Sequence, residues 1–184
     1  DSSSSRGLGD VYKRQGTIYA KTKHNAGFWV IDELCKRWKV SLNPGNGSYV
    51  FGEKNDSRAI LMKPLTGMNK SGKAVKEFCI NQGLLLSNVH VIVDDIDLPL
   101  GKLRIRPKGG DGCHRGMESI IYQNRDNNFP RIRFGIAVGS KLRPSEQYVL
   151  KDFKKSDQNL ADEMIIRAAD AAELIFEDGL NLSL

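Results

Sequence analysis

The chain has 184 residues, of which 40% are hydrophobic and 27% charged, a make-up that suits one globular domain with its own core. No window approaches twenty consecutive apolar residues, and the serine-rich start lacks the apolar run of a secretory signal, so neither a membrane-spanning helix nor export is expected. The formal net charge of +6 comes largely from clustered lysines and arginines, which raises nucleic acid as a partner.

The first fifteen residues, DSSSSRGLGDVYKRQ, contain no apolar run of strand length. Residues 26–38, AGFWVIDELCKRW, space Phe28, Ile31, Leu34, Cys35 and Trp38 as one face of a helix. SYVFGEKN and RAILMKP are β-rich runs separated by Asn55-Asp56-Ser57, which predicts a hairpin. From Ser71 to Gln82 the apolar groups Val75, Phe78 and Cys79 again have helical spacing, and Gly83 supplies the stop. VHVIVDDIDLPLG predicts a buried strand running into a turn. KLRIRPKG and RIRFGIAVG predict two more strands, with a helix over GMESIIYQ between them. Residues 157–178 place Leu160, Met164, Ile165, Ala168, Ala172 and Ile175 on one side of a long C-terminal helix. This alternation predicts a single α/β domain with a mixed sheet flanked by helices. Cys35, Cys79 and Cys113 are too far apart for a disulfide framework or a paired-cysteine metal site, and point to a reducing, cytoplasmic setting.

Basic residues alternate along two of the predicted strands: Lys102, Arg104, Arg106 and Lys108 on one, Arg131 and Arg133 on the other. Alternation puts them on one face, as a stripe suited to a phosphate backbone. Four polar stretches fall at strand ends or helix starts, where ligands gather in α/β sheets. TKHNAG offers His24. KPLTGMNKSGKAV offers Asn69, in a position that also suits a helix N-cap. DDIDLPLG offers Asp94, Asp95 and Asp97, a weak metal signal with basic neighbours. GGDGCHRG surrounds His114 with glycines but lacks the order of a nucleotide P-loop.

Taken together, Tyr19 to Gly27, Lys63 to Val75, Asp94 to Arg106, Gly109 to Ile120 and Phe129 to Ile136 carry five ordered motifs. In that order and spacing the chain resembles the bacterial-type peptidyl-tRNA hydrolases from about Gly16 onward. The resemblance implies a monomeric cytoplasmic α/β enzyme, without metal or other cofactor, that cleaves the ester between a peptide and tRNA. It implies His24 as the catalytic histidine and Asp94 as its partner. Tyr19, Met68, Asn69, His114 and Arg115 would meet the substrate, with His114 and Lys108 on one rim. Lys102, Arg104, Arg106, Lys108, Arg131 and Arg133 would face tRNA. The chemistry is coherent: an imidazole ordinarily titrates at about 6.5, and a carboxylate on its other nitrogen fixes the tautomer and stabilises the imidazolium. No serine or cysteine nucleophile is required, because water attacks directly.

Two departures stand out. Arg115 occupies a position where the family has asparagine. Counting back from His24 puts Gly16 on the last glycine of the family's GLGNPG and leaves Arg14-Gln15 at its Asn-Pro positions. Residues 1–15 are therefore expected to be a foreign leader in place of the first strand, with residues 16–184 forming the domain. The alternative function is that of a non-catalytic RNA-binding relative, like the plastid group II intron splicing factors of this fold.

Overall fold

A computed structural model describes residues 21–55, 59–140 and 142–178 of the chain. Apolar spacing at positions 26, 30 and 34 builds helix α1, Ala26–Trp38, which buries Ala26, Val30 and Leu34 as one stripe. Each fully buried Val or Leu stabilises the fold by about 1.5–3 kcal/mol. Three strands follow, β1 (Asn43–Pro44), β2 (Tyr49–Glu53) and β3 (Ile60–Pro64), in an antiparallel sheet with Phe51 opposite Met62. Helix α2, Ser71–Gln82, buries Ala74, Val75, Phe78 and Cys79 and ends at Gly83 in the left-handed region.

The second sheet holds β4 (Val91–Pro99), β5 (Leu103–Arg106) and β6 (Arg131–Ala137), in the order β4-β6-β5. β4 runs parallel to β6, and β5 antiparallel to it. Helix α3, Arg115–Asn124, lies in the connection between β5 and β6. The short α4, Ser145–Val149, leads to the long α5, Gln158–Asp178. Ala161, Met164, Ile165, Ala168 and Ala169 of α5 share one core with α1 and with Phe134 and Ile136 of β6. A second core joins Val75 of α2, Met117 and Ile120 of α3, Val93 and Phe129. The second sheet thus carries helices on both faces.

The strand expected over VHVIVDDIDLPLG forms as β4, with a bulge absorbing an irregularity between Asp95 and Pro99, and it turns at Leu100 and Gly101. Two expectations need correction. The described strands form two three-stranded sheets rather than one, because β3 and β4 do not hydrogen-bond to each other. Leu160 is 43% exposed, since it lies in the first turn of α5, beyond the buried stripe.

Two glycines set how closely the layers approach. A Cβ on Gly72 would stand 2.0 Å from the Ser119 carbonyl oxygen, so α2 and α3 meet backbone to backbone. The Gly72 amide also donates to Ser119 Oγ at 3.0 Å. A Cβ on Gly27 would stand 2.7 Å from the Ile92 carbonyl oxygen, so the first turn of α1 rests directly on β4. Gly27→Ala should therefore push α1 away from β4 and lower unfolding stability by about 1–3 kcal/mol in urea titration. Gly110→Ala, where an added Cβ meets nothing within 4 Å, should stay within about 0.5 kcal/mol of the parent.

Candidate active site

The contact at Gly27 brings the 3-10 turn Lys23–Asn25 up to the middle of β4. His24 Nδ1 meets both carboxylate oxygens of Asp94, at 3.0 and 3.1 Å. A second imidazole reaches the same group from the other side, with His114 Nε2 at 3.0 Å from Asp94 Oδ1. The two ring centroids are 4.8 Å apart. Asp94 is only 3% exposed. Burial by itself would raise its carboxyl, but His114 and then His24, through attraction and hydrogen bonds, outweigh that and hold it well below the ordinary carboxylate range.

Hydrogen bonding fixes the tautomer of His114. It is the N-cap of α3, and its Nδ1 accepts the amides of Gly116 and Met117 at 3.1 and 3.2 Å. The lone pair is therefore on Nδ1, and the proton on Nε2 is donated to Asp94. His24 donates from Nδ1, which leaves Nε2 as its basic nitrogen. Its side chain keeps 14% exposure and lines a cavity with Met68, Ser71 and Gly116. No serine or cysteine among the described residues hydrogen-bonds to His24.

His24, Asp94 and His114 have spacings compatible with a metal site. The proton positions oppose one. To ligate through Nε2, neutral His114 would have to move its proton to Nδ1, where two backbone N–H groups already point. The neighbouring acids serve elsewhere. Asp95 pairs with Arg133 Nε at 3.0 Å, and Asp97 with Arg143 at 3.1 Å.

The turn bearing His24 is held by a residue that sequence reading did not single out. Lys23 is buried, and its Nζ donates to the carbonyls of Lys151 and Asp152 at 3.2 and 2.7 Å. It also sits over the Tyr148 and Phe153 rings. Burial lowers its pKa, and Asp152 and Asp157 partly offset that. Only tertiary contacts reveal this role, since a lysine beside a histidine reads as surface charge.

The other expected site residues divide into groups. Met68 is half-buried on the cavity wall, and Asn69 is exposed beside it in the 3-10 turn Met68–Lys70. Asn69 is not an N-cap, because Lys70 holds that place without a side-chain bond. His114, expected on the rim, is 7% exposed beneath it, because capping α3 and binding Asp94 turn the ring inward. Arg115 is exposed and reaches Glu146 at 3.5 Å. Tyr19 and the leader 1–15 lie outside the described residues.

Lys102, Arg104, Arg106 and Lys108 are all exposed. Arg104 stands opposite Arg133 and Arg106 opposite Arg131, so the four arginines do share a sheet face. Arg131, however, is unavailable to a phosphate. It is 1% exposed, and its guanidinium donates to the carbonyls of Gly109, Gly110, Asn127 and Phe129. It ties down the glycine-rich loop. Arg133 is half-buried beside Asp95.

A histidine whose free nitrogen faces a cleft and whose other nitrogen is held by a buried carboxylate has the chemistry to take a proton from water, here on an α/β scaffold. The sequence model of the peptidyl-tRNA hydrolase family matches residues 7–184. The chain is 44% identical over 167 residues to the peptidyl-tRNA hydrolase of Thermoanaerobacter sp. (strain X514), covering 90% of each protein. It is 42% identical over 160 residues to that of Geobacillus kaustophilus (strain HTA426), covering 86% of each. The crystal structure of peptidyl-tRNA hydrolase from Acinetobacter baumannii superposes with a TM-score of 0.80 at 31% identity, over 89% of this chain and 84% of that one. The chain belongs to the peptidyl-tRNA hydrolase family.

The depressed Asp94 carboxyl has a pH consequence. Its folded pKa lies below the unfolded value of about 3.9, so its stabilisation is complete above that value and is lost as pH falls toward the folded one. Calorimetry of the parent and Asp94→Asn should show the widest gap in Tm near neutrality, narrowing below about pH 4. A gap independent of pH would mean that Asp94 is not held as a carboxylate.

Proposed function

We propose that this protein hydrolyses the ester that joins a peptide to tRNA in peptidyl-tRNA, with His24 as the general base. The observation that carries the mechanism is the engagement of His24 Nδ1 by Asp94, which commits Nε2 to the cleft. Water gives a proton to Nε2 as its oxygen attacks the ester carbonyl carbon. The tetrahedral intermediate then collapses, and the departing ribose oxygen takes the proton back from the imidazolium. Asp94 stays ionised throughout and stabilises the charge that forms on His24. His114 keeps the carboxylate in place from behind and takes no part in proton transfer.

Asn69, exposed and next to the cavity-lining Met68 in the chain, would hold the peptide carbonyl or the attacking water. A donor aimed at a developing oxyanion contributes about 3 kcal/mol. Lys102, Arg104, Arg106 and Lys108 supply the exposed positive face for the tRNA backbone, with Arg133 at its edge. The retained His24–Asp94 pair favours an enzyme over a non-catalytic RNA-binding relative. No helix among the described residues is long and apolar enough to cross a membrane. We place the enzyme in the cytoplasm as a monomer.

Release of tRNA from N-acetyl-aminoacyl-tRNA tests this reading. His24→Ala should lower kcat by about 10²–10⁴-fold while tRNA affinity changes by no more than a few fold. Parental turnover in that variant would refute the role of His24. Arg104→Glu should weaken tRNA binding and reduce the slope of log affinity against log salt by about one unit. Arg131→Gln should act differently, lowering Tm because the buried Phe129 carbonyl and those of the glycine loop lose their donor.

A further inference from the structure

His24 and Asp94 lie on different elements, so their 3.0 Å contact needs a frame that fixes one against the other. One side of that frame is the second sheet. β4 pairs with β6 so that Asp94 stands opposite Phe134. Two residues further along β6, the Ile136 carbonyl accepts the Tyr148 hydroxyl at 2.7 Å, and the Val138 amide donates to the same hydroxyl oxygen at 2.9 Å. Tyr148 thus fastens α4 to the end of β6.

The other side of the frame runs through Lys23. The carbonyls of Lys151 and Asp152, just after Tyr148, accept its Nζ at 3.2 and 2.7 Å. The Lys151 carbonyl also takes the Lys23 amide at 3.1 Å, and Thr22 and Asp152 form an antiparallel bridge beside it. The ammonium is 4.7 Å from the centre of the Tyr148 ring and 5.1 Å from that of Phe153. Contacts therefore run in a closed circuit, from Asp94 through β6, Tyr148, the 151–152 backbone and Lys23 to His24, and back to Asp94.

Stability alone does not account for a lysine in this place. Lys23 is 5% exposed, and among the described residues its hydrogen bonds go to main-chain carbonyls rather than to a carboxylate. Burying an ammonium is costly, and an apolar side chain of similar size is often as stabilising or more so. What the ammonium adds is direction. Donors held at two carbonyls, with the charge beside two rings, admit few positions for the turn that carries His24. A shift of about 1 Å in a reacting group can cost about 10²-fold in rate. We propose that Lys23 is a positioning residue for the hydrolysis: without touching substrate, it fixes through the 148–153 segment where His24 stands against Asp94. This role rests on the reading of His24 as the base.

The test combines turnover of N-acetyl-aminoacyl-tRNA, Tm and nitrogen-15 NMR of the histidine rings in the full chain. Lys23→Met keeps the length and removes the donors. It should lower kcat by about 10–10²-fold with KM within about threefold of the parent. Its His24 ring should also lose part of the preference for a proton on Nδ1. Lys23→Arg, which restores a cation with donors, should recover kcat to within about fivefold of the parent. Tyr148→Phe keeps the ring beside the ammonium but cuts the tie to β6, and should lower kcat by about threefold or more. Tyr49→Leu, in the buried core of the other sheet, is the stability control: it should lower Tm and keep the parental kcat while folded. Parental kcat in Lys23→Met, no recovery in Lys23→Arg, or an equal fall in Tyr49→Leu would each overturn the proposal. Should Lys23→Met fail to fold, Tyr148→Phe decides, and parental kcat there overturns it. A parent that leaves the ester intact would refute the hydrolase reading. The ring-proton measurement needs no turnover, so an unchanged His24 tautomer in Lys23→Met would refute the role of Lys23 separately.

Discussion

A single buried carboxylate organises this protein. Asp94 is in the middle of a strand, nearly inaccessible to water, and is kept ionised by two imidazole donors from elsewhere in the sequence. A buried carboxylate without partners would cost on the order of several kcal/mol. The fold therefore has to deliver both histidines together, and much of its local detail does that. Gly27 lets α1 seat on β4, Lys23 ties the preceding turn to the 148–153 segment, and His114 caps α3 while it faces Asp94. The same contacts that stabilise the domain set the geometry of His24 against Asp94.

That arrangement separates two histidines that look alike in sequence. His114 has one nitrogen committed to two backbone amides and the other to Asp94, so it is a structural donor with no free capacity. His24 has one nitrogen committed and one facing the cleft. The unspent nitrogen is what distinguishes His24 from His114. The arginines divide in the same way: Arg104 and Arg106 stay exposed, while Arg131, opposite Arg106, spends its donors on carbonyls of the glycine loop.

Helical spacing was legible wherever a stripe faces the core, and the 26–38 and 71–82 helices form with those bounds. His24 and Asp94 were legible as candidates because they close polar motifs at element ends, although their pairing, seventy residues apart, needed the resemblance. The rest depends on tertiary contacts. An alternating arginine looks the same in sequence whether it faces phosphate or its own loop, so Arg131 was misplaced. A histidine among glycines suggests a mobile rim, whereas the cap and the carboxylate draw His114 inward. Lys23 gave no signal at all, because nothing local distinguishes a lysine buried over two aromatic rings from one in solvent. That the described strands fall into two sheets was equally hidden, since strand patterns specify a face and not a neighbour.

The most direct test of the account is the pair of ring protons shared with Asp94. Nitrogen-15 NMR of histidine-labelled protein at about pH 8, above the ordinary imidazole range, reports the tautomer of each ring. The account predicts His24 protonated on Nδ1 and His114 protonated on Nε2, with the His24 preference relaxing in Asp94→Asn. A His24 ring protonated on Nε2, or a His114 ring protonated on Nδ1, would contradict it.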